Sequence, residues 1–409
     1  MIGGGAAGML AAWRAASLGA PVRLLERNPR LGVKILISGG GKCNITHAGP
    51  IDEVRRAFDQ PEARFLAPCL HRFRNSDVLE LLERHGVTTH VRPDGRIFPD
   101  SARAGDVVEA LRAEMLAVGV RLSLGTPVRA LSRLPHGDLR VCLDGGELQS
   151  LAVVLAVGGK SYPKTGATGD GYPWVEALGH TLIRPRAALA PAYLKHARPD
   201  WSGVALRDIL LRARAGKEVA RWRGDLLFTH RGVSGPTVLG VTREAALAME
   251  RGPVTLEVDL TPDRTQEELS RELAEAHATR GVRLVRVFLQ RRLPERLIPT
   301  LMEEAGLDPD LPLDRLPRPG RNRLSERIKR WSLGEISHIP LELGEVTAGG
   351  IPLDEVDPRT MESRKCPGLF PCGEILDIAG PVGGYNLQAA FSTGFVAGES
   401  ASRRLQGAA

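Results

Sequence analysis

The residues with the clearest chemical potential are three glycines at the N-terminus. Gly3, Gly5 and Gly8 form a G-x-G-x-x-G pattern followed by an apolar helical stretch, and Glu26 ends the next predicted strand. Such glycines permit a sharp turn, close approach of backbone to a pyrophosphate, and tight packing of a helix on a sheet. A helix N-terminus favours anions, and a carboxylate accepts both hydroxyls of an adenosine ribose. The spacing predicts a dinucleotide site. Its assigned residues are Gly3, Gly5, Ala6, Ala7, Gly8, Glu26 and Arg27.

Two further glycine-rich stretches follow predicted strands. Residues 30–47 come after the second strand and favour a ligand loop rather than a helix or strand, because consecutive glycines expose amides as a nest for anions. Residues 158–171 follow an apolar run, 151–157, that is typical of a buried parallel strand. Ligands of parallel α/β sheets bind beyond the carboxyl ends of strands, so both loops are expected to face one crevice. Their assigned ligand residues are Gly40, Gly41, Lys42, Cys43, Gly158 and Gly159.

A third ligand segment lies near the C-terminus. A short strand ends in Gly-Glu at Glu374, whose carboxylate can hold a ribityl hydroxyl, and residues 380–384 form a glycine loop before a helix. Such a helix start can stabilise negative charge on a reduced flavin. Together with the N-terminal pattern, this predicts one ligand held by both ends of the chain. The residues assigned here are Gly373, Glu374, Asp377, Gly384, Tyr385, Asn386 and Leu387.

Acid–base candidates are few. His230, which lies next to a glycine-containing turn, is the best of the ten histidines, with a surface or structural role as the alternative. Lys42 and Tyr385 are weaker candidates, since phosphate binding or backbone anchoring would explain each. The five cysteines contain no C-x-x-C, which argues for a reducing cytoplasm and predicts no metal site.

Length and charge narrow the class of protein. A chain of 409 residues is long enough for two or three domains, and it contains neither a membrane-spanning apolar run nor a secretory signal. We therefore expect a cytoplasmic protein with a small-molecule substrate and no membrane partner. The net charge of +7 comes mostly from arginine, with clusters at 280–296 and 315–330. A basic surface can attract RNA, so a nucleic-acid partner stays an open alternative. We favour the interpretation that these arginines lie on solvated faces of helices.

The hydrophobic patterns predict an α/β protein: a Rossmann-like domain with a β-meander, interrupted by a β-rich domain that carries a helical subdomain. The nucleotide-binding domain is assigned residues 1–188 and 344–409, the β-rich domain 189–262 and 331–343, and the helical lid 263–330. Individual helices are expected near 51–58, 77–85 (capped by Asn75 or Ser76), 104–118 and 236–249. Hairpin and meander strands are expected near 87–98 and 120–150, and strands of the inserted domain at 206–213, 219–223, 225–230 and 254–260.

The start of the sequence lacks part of the expected pattern. The fingerprint needs a buried strand before it, and only Met1 and Ile2 are present. Each missing apolar residue would contribute about 1.5–3 kcal/mol to a net stability of about 5–15 kcal/mol. We therefore expect the native chain to begin several residues upstream, which N-terminal sequencing of the natural protein would test.

Several motifs resemble the bacterial YhiN/BaiN-type flavoproteins, also called the aminoacetone oxidase family. The similarity covers nearly the whole chain and is carried by segments 34–44, 95–99, 158–172, 228–236 and 383–388. It implies non-covalent FAD in a glutathione-reductase-type fold built from both termini, with an inserted substrate domain. Position 47 departs from the pattern, with His47 where asparagine is expected. The FAD contacts implied by the resemblance are Gly3, Gly5, Gly8, Glu26, Gly158, Gly159, Gly373 and Glu374.

The function that follows is that of an FAD-dependent oxidoreductase, transferring hydride between flavin N5 and a small organic substrate. Only one full G-x-G-x-x-G is present, so NAD(P)H, the expected donor, would bind transiently over the flavin. The resemblance leaves the substrate open, because family members are linked both to amine oxidation and to reduction of steroid double bonds. The alternatives are an amine oxidase that forms an imine and peroxide, an FAD-dependent tRNA-modifying protein, and a flavin-holding regulatory protein without turnover.

Overall fold

The computed structural model describes residues 1–276 and 283–407 and divides the chain into two compact units. The first unit comprises Met1–Arg186 and Gly344–Ala409, and the second comprises Ala187–Leu343. Each has its own hydrophobic core. No helix in the described part of the chain is both long and apolar enough to cross a membrane.

The N-terminal part of the first unit alternates helices with short strands. In chain order its elements are α1 (Ala6–Ser17), β1 (Arg23–Leu25), α2 (Val33–Gly41), β2 (Thr46–His47), α3 (Ile51–Arg56), α4 (Gln60–Arg72), α5 (Asn75–Glu83), β3 (Thr89–Val91), β4 (Arg96–Pro99), α6 (Ala104–Ala117), β5 (Arg121–Ser123), β6 (Val128–Arg133), β7 (Leu139–Leu143), β8 (Gly146–Ser150), β9 (Val153–Leu155), α7 (Gly171–Ala177) and β10 (Ile183–Ala188). Strands β6, β7 and β8 form the predicted antiparallel meander.

The second unit and the return of the chain follow. The elements of the second unit are β11 (Ala192–Leu194), β12 (Ala205–Ala215), β13 (Lys217–Thr229), β14 (Gly232–Ser234), α8 (Pro236–Met249), β15 (Thr255–Asp259), α9 (Gln266–Glu275), α10 (Val285–Gln290), α11 (Ile298–Glu304), α12 (Arg318–Lys329) and β16 (Trp331–His338). The chain then re-enters the first unit through β17 (Val346–Gly350), β18 (Leu369–Pro371) and α13 (Tyr385–Gly407).

A parallel sheet forms the centre of the first unit, and Ile2 joins its two halves. β5 pairs with β1, and β9 with β18, while Ile2 makes parallel bridges to Leu25 on one side and Leu155 on the other. Its amide donates to Val154 O (2.9 Å), and its carbonyl accepts from the Ala156 amide (2.9 Å). One buried residue therefore occupies the position of the central strand, directly before the glycine fingerprint.

Helix α13 packs against α1 through two glycines. A Cβ added at Gly394 or at Gly398 would lie 2.2 Å from the carbonyl oxygen of Ala7 or Ala11, respectively. Only hydrogen atoms fit between the two helices at these positions. The C-terminal helix is thereby fixed beside the helix that follows the fingerprint.

The second unit is a closed six-stranded barrel in the order β11, β14, β13, β12, β15 and β16. Two strands, 219–223 and 225–230, were predicted where the structure has the single strand β13. That prediction was wrong because Gly224 does not end the strand. Between the pairs Leu206–Leu226 and Ile209–Gly224, two residues of β12 stand opposite one residue of β13, and the one extra residue is absorbed there as a bulge.

The helices of the second unit share the core of the barrel. Leu269 of α9, Phe288 of α10 and Leu301 of α11 belong to one buried cluster with Leu211 and Trp331 of the strands. Residues 277–282 of the predicted helical stretch lie outside the described residues.

Other local expectations also require correction. Residues 30–47 were expected to contain no helix, yet α2 begins at Val33 and leaves helical geometry only at Ser38, Gly39 and Gly40. Asn75 is not a cap of α5; its side chain donates to the carbonyls of His47 (2.8 Å) and Gly49 (2.9 Å). Helix α4 was not predicted, because Pro61 and Pro68 interrupt its helical pattern.

Candidate functional site

The three fingerprint glycines meet different surroundings. A Cβ at Gly3 would lie 2.3 Å from Ala156 O, and one at Gly8 would lie 1.9 Å from Gly3 O. Nothing lies within 4 Å of a Cβ built at Gly5. Protein packing explains Gly3 and Gly8, whereas the space over Gly5 is open at the N-terminus of α1.

The first turn of α1 has free hydrogen-bonding capacity. No side chain caps this helix, and the first amides of a helix have no acceptor within the helix itself. Ala6 and Ala7 form the start of this turn and are buried. An anion placed over Gly5 would therefore meet backbone N–H groups and the positive end of the helix dipole.

Glu26 is held rigidly at the end of β1. Its buried carboxylate accepts from the amides of Gly4 (2.6 Å) and Asn28 (2.8 Å) and from the Asn28 side chain (2.7 Å). A carboxylate has about four acceptor positions, so capacity for one hydroxyl donor is left. The Arg27 side chain contacts the second glycine loop. Its guanidinium donates to Thr168 (2.6 Å) and pairs with Asp170 (2.8 Å), which ties the end of β1 to that loop.

The glycines of the first glycine loop, at the end of α2, have a left-handed backbone. Gly39, Gly40 and Gly41 have φ of 56°, 68° and 84°, and no atom lies within 4 Å of a Cβ at Gly40. Lys42 is exposed, and its side chain makes no hydrogen bond or ion pair in the described part of the chain. Cys43 is buried, and burial raises the pKa of its thiol to about 12. Contact of Cys43 with a ligand would therefore be through its backbone.

The second glycine loop meets the C-terminal strand at a polar cluster. The Lys34 ammonium contacts both carboxylate oxygens of Glu374 (2.8 and 2.6 Å) and the Ser161 hydroxyl (2.7 Å). Ser161 also donates to Glu374 (3.0 Å), and the Thr347 amide donates to the same carboxylate (3.1 Å). We call Lys34, Ser161, Thr347 and Glu374 the lysine–glutamate cluster. It joins four segments that are distant in sequence.

Glycines 158 and 159 differ as the fingerprint glycines do. Gly158 has φ of +74° and an ordinary contact with Ala167. A Cβ at Gly159 would lie 2.4 Å from Thr347 Oγ1 and 2.9 Å from a Glu374 oxygen. Gly159 is therefore needed where the lysine–glutamate cluster packs on the loop backbone.

The remaining C-terminal residues support the start of α13 and the loop before it. Asp377 accepts from the Gly349 amide (2.7 Å), and Asn386 exchanges hydrogen bonds with the Gly380 amide (2.8 Å) and carbonyl (2.9 Å). Gly373, with φ of +72°, lies against Ala7 of α1. These contacts bring the C-terminal segment to the fingerprint helix. Leu387 is half-buried in the first turn of α13.

Gly384 and Tyr385 meet the segment after the first glycine loop. A Cβ at Gly384 would lie 2.5 Å from Thr46 O, and the Tyr385 ring stacks on His47 with centroids 4.6 Å apart. His47 also approaches Gly383 O through Nδ1 (3.1 Å). Burial raises the pKa of Tyr385. His47 thus has a packing role here.

His230 belongs to the other unit. It is exposed in the turn between β13 and β14 and makes no hydrogen bond or ion pair with any described residue. Its proposed acid–base role stays a prediction. No cluster of described His, Cys, Asp or Glu residues could hold a metal ion.

Sequence reasoning missed three residues of the lysine–glutamate cluster, namely Lys34, Ser161 and Thr347. Lys34 and Ser161 stood in the glycine-rich motifs but had no assigned role. Their contacts with Glu374 span 340 and 213 residues, so no local pattern could place them together.

The site fits a flavin dinucleotide. An uncapped helix start lies under open space at Gly5, Glu26 keeps one acceptor position for a ribose, and the glycine loop around Gly40 presents open backbone. Tyr385 and its neighbours add a second helix start. Dinucleotide phosphates, ribose and flavin ring would each find a suitable partner.

Comparisons with known proteins agree with this fit. The family described as HI0933-like protein Rossmann domain matches residues 1–400. The chain is 31% identical to a ribosomal RNA dihydrouridine synthase of Haemophilus influenzae over 99% of this chain and 98% of that protein. It is 33% identical to a 3-dehydro-bile acid delta(4,6)-reductase of Clostridium scindens, with the same coverage of both chains.

Among solved structures, a 3-ketosteroid-delta4-(5alpha)-dehydrogenase from Rhodococcus jostii is similar in fold. The TM-score is 0.51 at 17% identity, over 98% of this chain and 95% of that one. The predicted Rossmann-type fold and the predicted family are confirmed. By a match that spans nearly its whole length, the chain belongs to the HI0933-like Rossmann family, the YhiN/BaiN-type FAD-dependent oxidoreductases.

Proposed function

We propose that this protein adds a hydride and a proton across a carbon–carbon double bond that is conjugated to a carbonyl group. The observation that carries the proposal is the meeting of both glycine loops and the C-terminal strand at the lysine–glutamate cluster, beside the uncapped start of α1. Bound FAD would supply hydride chemistry at its N5 atom.

The names of the relatives support the choice of substrate bond. One name describes formation of dihydrouridine, and the other describes reduction of double bonds in a bile acid that carries a 3-oxo group. In both, the bond that gains hydrogen is conjugated to a carbonyl. Neither name describes oxidation of an amine, so the reductase reading is favoured over the amine oxidase.

The residues of this chain would bind and orient. The start of α1 over Gly5 would hold the pyrophosphate, and Glu26 the adenosine ribose. Glu374, held in place by Lys34 and Ser161, would orient the ribityl chain. We also propose NAD(P)H as the electron donor. Because the chain carries only one full G-x-G-x-x-G, NAD(P)H would bind transiently over the flavin rather than in a domain of its own.

The test is an anaerobic assay of the purified flavoprotein. NADH or NADPH is supplied with either a 3-oxo-4-ene steroid or uridine, and the reduced product is measured by mass spectrometry. Saturation of the conjugated bond, absent with a saturated ketone as control, is the expected result. Peroxide formation from an amine in air, without reduction of either unsaturated probe, would favour the oxidase. A lack of turnover with both the unsaturated probes and the amine would favour a regulatory protein that holds flavin without catalysis.

A second candidate is reduction of uridine within ribosomal RNA. Besides the named relative, it is favoured by the surface of α12 and the turn before it, where Arg315, Arg318 and Arg327 are exposed and form no ion pair with the described residues. Such arginines can contact phosphates, and the affinity would then fall steeply with salt. Arg280 of the other predicted basic cluster lies outside the described residues.

The RNA candidate has its own test. Triple substitution of Arg315, Arg318 and Arg327 by glutamine is expected to weaken binding to ribosomal RNA at low salt while leaving FAD content unchanged. Equal binding by the variant and the unmodified protein would argue against this surface. No RNA binding by either would discard the candidate.

A further inference from the structure

His180 lies in a buried chain of hydrogen bonds, apart from the residues assigned to the flavin. Its Nδ1 atom is 2.7 Å from Glu355 Oε2, and its Nε2 atom is 2.7 Å from Ser363 Oγ. The three residues are 4%, 7% and 4% exposed, in the order His180, Glu355 and Ser363. We call them the histidine latch. The histidine latch lies wholly within the first unit.

The order of groups in the histidine latch is that of a catalytic triad, yet its burial excludes catalysis at Ser363. In a hydrolase, a carboxylate orients a histidine that takes the proton of a nucleophilic serine. A nucleophile must meet its substrate, whereas the Ser363 side chain is enclosed by protein. The amides of Lys365 (3.1 Å) and Cys366 (2.8 Å) also donate to its oxygen. The cluster therefore acts on the protein itself.

The surrounding donors fix the positions of the protons on the His180 ring. Because two amides occupy the lone pairs of Ser363 Oγ, the hydroxyl proton is directed at Nε2, which accepts it. Nδ1 then carries the ring proton and donates it to Glu355. The same carboxylate accepts from the amide (3.1 Å) and the hydroxyl (2.8 Å) of Thr181. His180 is therefore neutral in the native structure.

Protonation of His180 would disrupt this arrangement. A second ring proton, on Nε2, would meet the proton of the Ser363 hydroxyl, and the hydroxyl could turn away only by losing its acceptor. Burial lowers the pKa of His180 below its ordinary value of 6.5, and the facing Lys365 lowers it further, while Glu355 opposes them. Stability contributed by such a histidine is complete above the ordinary pKa and is lost as the pH falls through the lower pKa of the folded state.

Glu355 does not titrate in the same range of pH. Burial raises the pKa of its carboxyl group, but hydrogen bonds from Thr181 and His180 outweigh burial and hold the pKa below its usual value. The carboxylate therefore stays ionised while His180 gains its proton. The acid sensitivity of the histidine latch thus belongs to the imidazole.

One side of the histidine latch leads to the second glycine loop. The His180 amide donates to Val175 O (3.0 Å) and so closes α7 at its carboxyl end. That helix begins at Gly171, where the loop of residues 158–171 ends. A helix of only seven residues depends on packing at both of its ends. Loss of the His180 contacts would therefore loosen the support of this loop.

The other side of the histidine latch leads to Glu374. Glu355 follows Ile351 on the return segment, and the Ile351 amide donates to Ile375 O (2.9 Å). The Ile351 carbonyl accepts from the Asp377 amide (3.0 Å). These two bonds hold the segment that directly follows Glu374. The histidine latch thus joins two of the segments expected to contact the flavin.

We propose that the histidine latch is an acid-sensitive switch of flavin binding. While His180 is neutral, it holds the support of the second glycine loop to the return segment. Uptake of one proton from solvent at Nε2 breaks the contact with Ser363, loosens both segments and releases the flavin. This inference goes beyond the proposed function, since it concerns retention of the cofactor and not the substrate.

The switch is tested first on flavin-free protein, by urea denaturation at about pH 7 and at about pH 5. His180→Gln should be less stable than the unmodified protein at the higher pH, but it should lose less stability on going to the lower pH. The matched control is His136→Gln, because His136 is exposed between β6 and β7; this variant should lose as much as the unmodified protein. An equal loss in His180→Gln and the unmodified protein would overturn the switch.

Ser363→Ala keeps this comparison decisive if His180→Gln does not fold. The substitution removes the hydroxyl that donates to Nε2, so the neutral ring loses part of its advantage over the cation. The loss of stability between the two pH values should again be smaller than in the unmodified protein. A loss as large as that of the unmodified protein would count against the histidine latch.

The effect on the cofactor is tested by the rate at which bound FAD leaves the protein. The unmodified protein and His136→Gln should release FAD faster at about pH 5 than at about pH 7. His180→Gln should release it fast at both pH values. Equal rates at both pH values in the unmodified protein would overturn the control of flavin binding. Protein that binds no FAD at either pH would refute the proposed function, and the urea comparison would still decide the acid sensitivity of the histidine latch.

Discussion

Gly5 and Gly8 stand three residues apart in one fingerprint, yet the protein uses them differently. A methyl group at Gly8 would lie 1.9 Å from a backbone oxygen, whereas one at Gly5 would meet nothing within 4 Å. The same contrast divides other glycines of the first unit: a Cβ at Gly159 or Gly394 would clash with protein, whereas one at Gly40 would face open space.

The contrast separates two reasons for a glycine that a sequence pattern cannot distinguish. Protein-facing glycines allow close packing, so replacing them should harm the fold. Open glycines cost the protein conformational entropy without any packing in return, which is understandable where a ligand approaches the backbone. Substitutions of the two kinds should therefore damage different properties.

The largest effect on stability is expected for Gly394→Ala. The new methyl group would lie 2.2 Å from Ala7 O, and two packed helices would have to separate. Overpacking of this kind costs about 1–3 kcal/mol, and more where the neighbour is backbone. Urea denaturation of flavin-free protein measures the change. A variant as stable as the unmodified chain would contradict the close approach of α1 and α13.

Lys34→Met should have the next largest effect. It leaves the Glu374 carboxylate, next to protein-facing Gly159, without its cation, at a cost of about 1–2 kcal/mol. Lys42→Met, which removes an exposed lysine without an ion pair, is the matched control and should be nearly neutral for stability. Equal denaturation midpoints for the two variants would show that the lysine–glutamate cluster adds no stability.

Gly5→Val should change flavin content far more than stability. The backbone of Gly5 is extended, with φ of −84°, so valine fits without strain and loses only about 1 kcal/mol as a poorer N-cap. Its side chain would occupy the open space at the helix start. We expect flavin-free protein that is still folded by circular dichroism, whereas full flavin content would place the pyrophosphate elsewhere.

Gly105→Ala should have the smallest effect on stability, and it should raise stability rather than lower it. Gly105 is helical within α6, and a Cβ there meets nothing within 4 Å. Alanine should therefore raise the free energy of unfolding by about 0.5–1 kcal/mol. Gly105→Ala should also keep its flavin content, so it serves as a control for Gly5→Val. A loss of stability in Gly105→Ala would show that open space around a glycine does not by itself predict that an alanine is tolerated there.

The same distinction explains what the sequence could and could not predict. Local patterns found α1, α6 and α8, because periodicity and glycine punctuation lie within short windows. They failed at α2, where the glycines that follow Ile37 hid a short helix, and at β13, where Gly224 suggested a break. The contacts of Lys34, Ser161 and Thr347 with Glu374 connect distant segments, and only the folded sheet brings them together.

The central claim is that the glycine loops of the first unit hold FAD for the reduction of a conjugated double bond. Its most direct test is the visible absorption spectrum of the purified protein, recorded anaerobically before and after NADH or NADPH and again after a 3-oxo-4-ene steroid or uridine. The account predicts that the flavin band of the unmodified protein bleaches when NADH or NADPH is added and returns when at least one of the unsaturated acceptors is added. It also predicts that the Gly5→Val variant has no flavin band. Folded unmodified protein that binds no flavin, even after incubation with FAD, would contradict it.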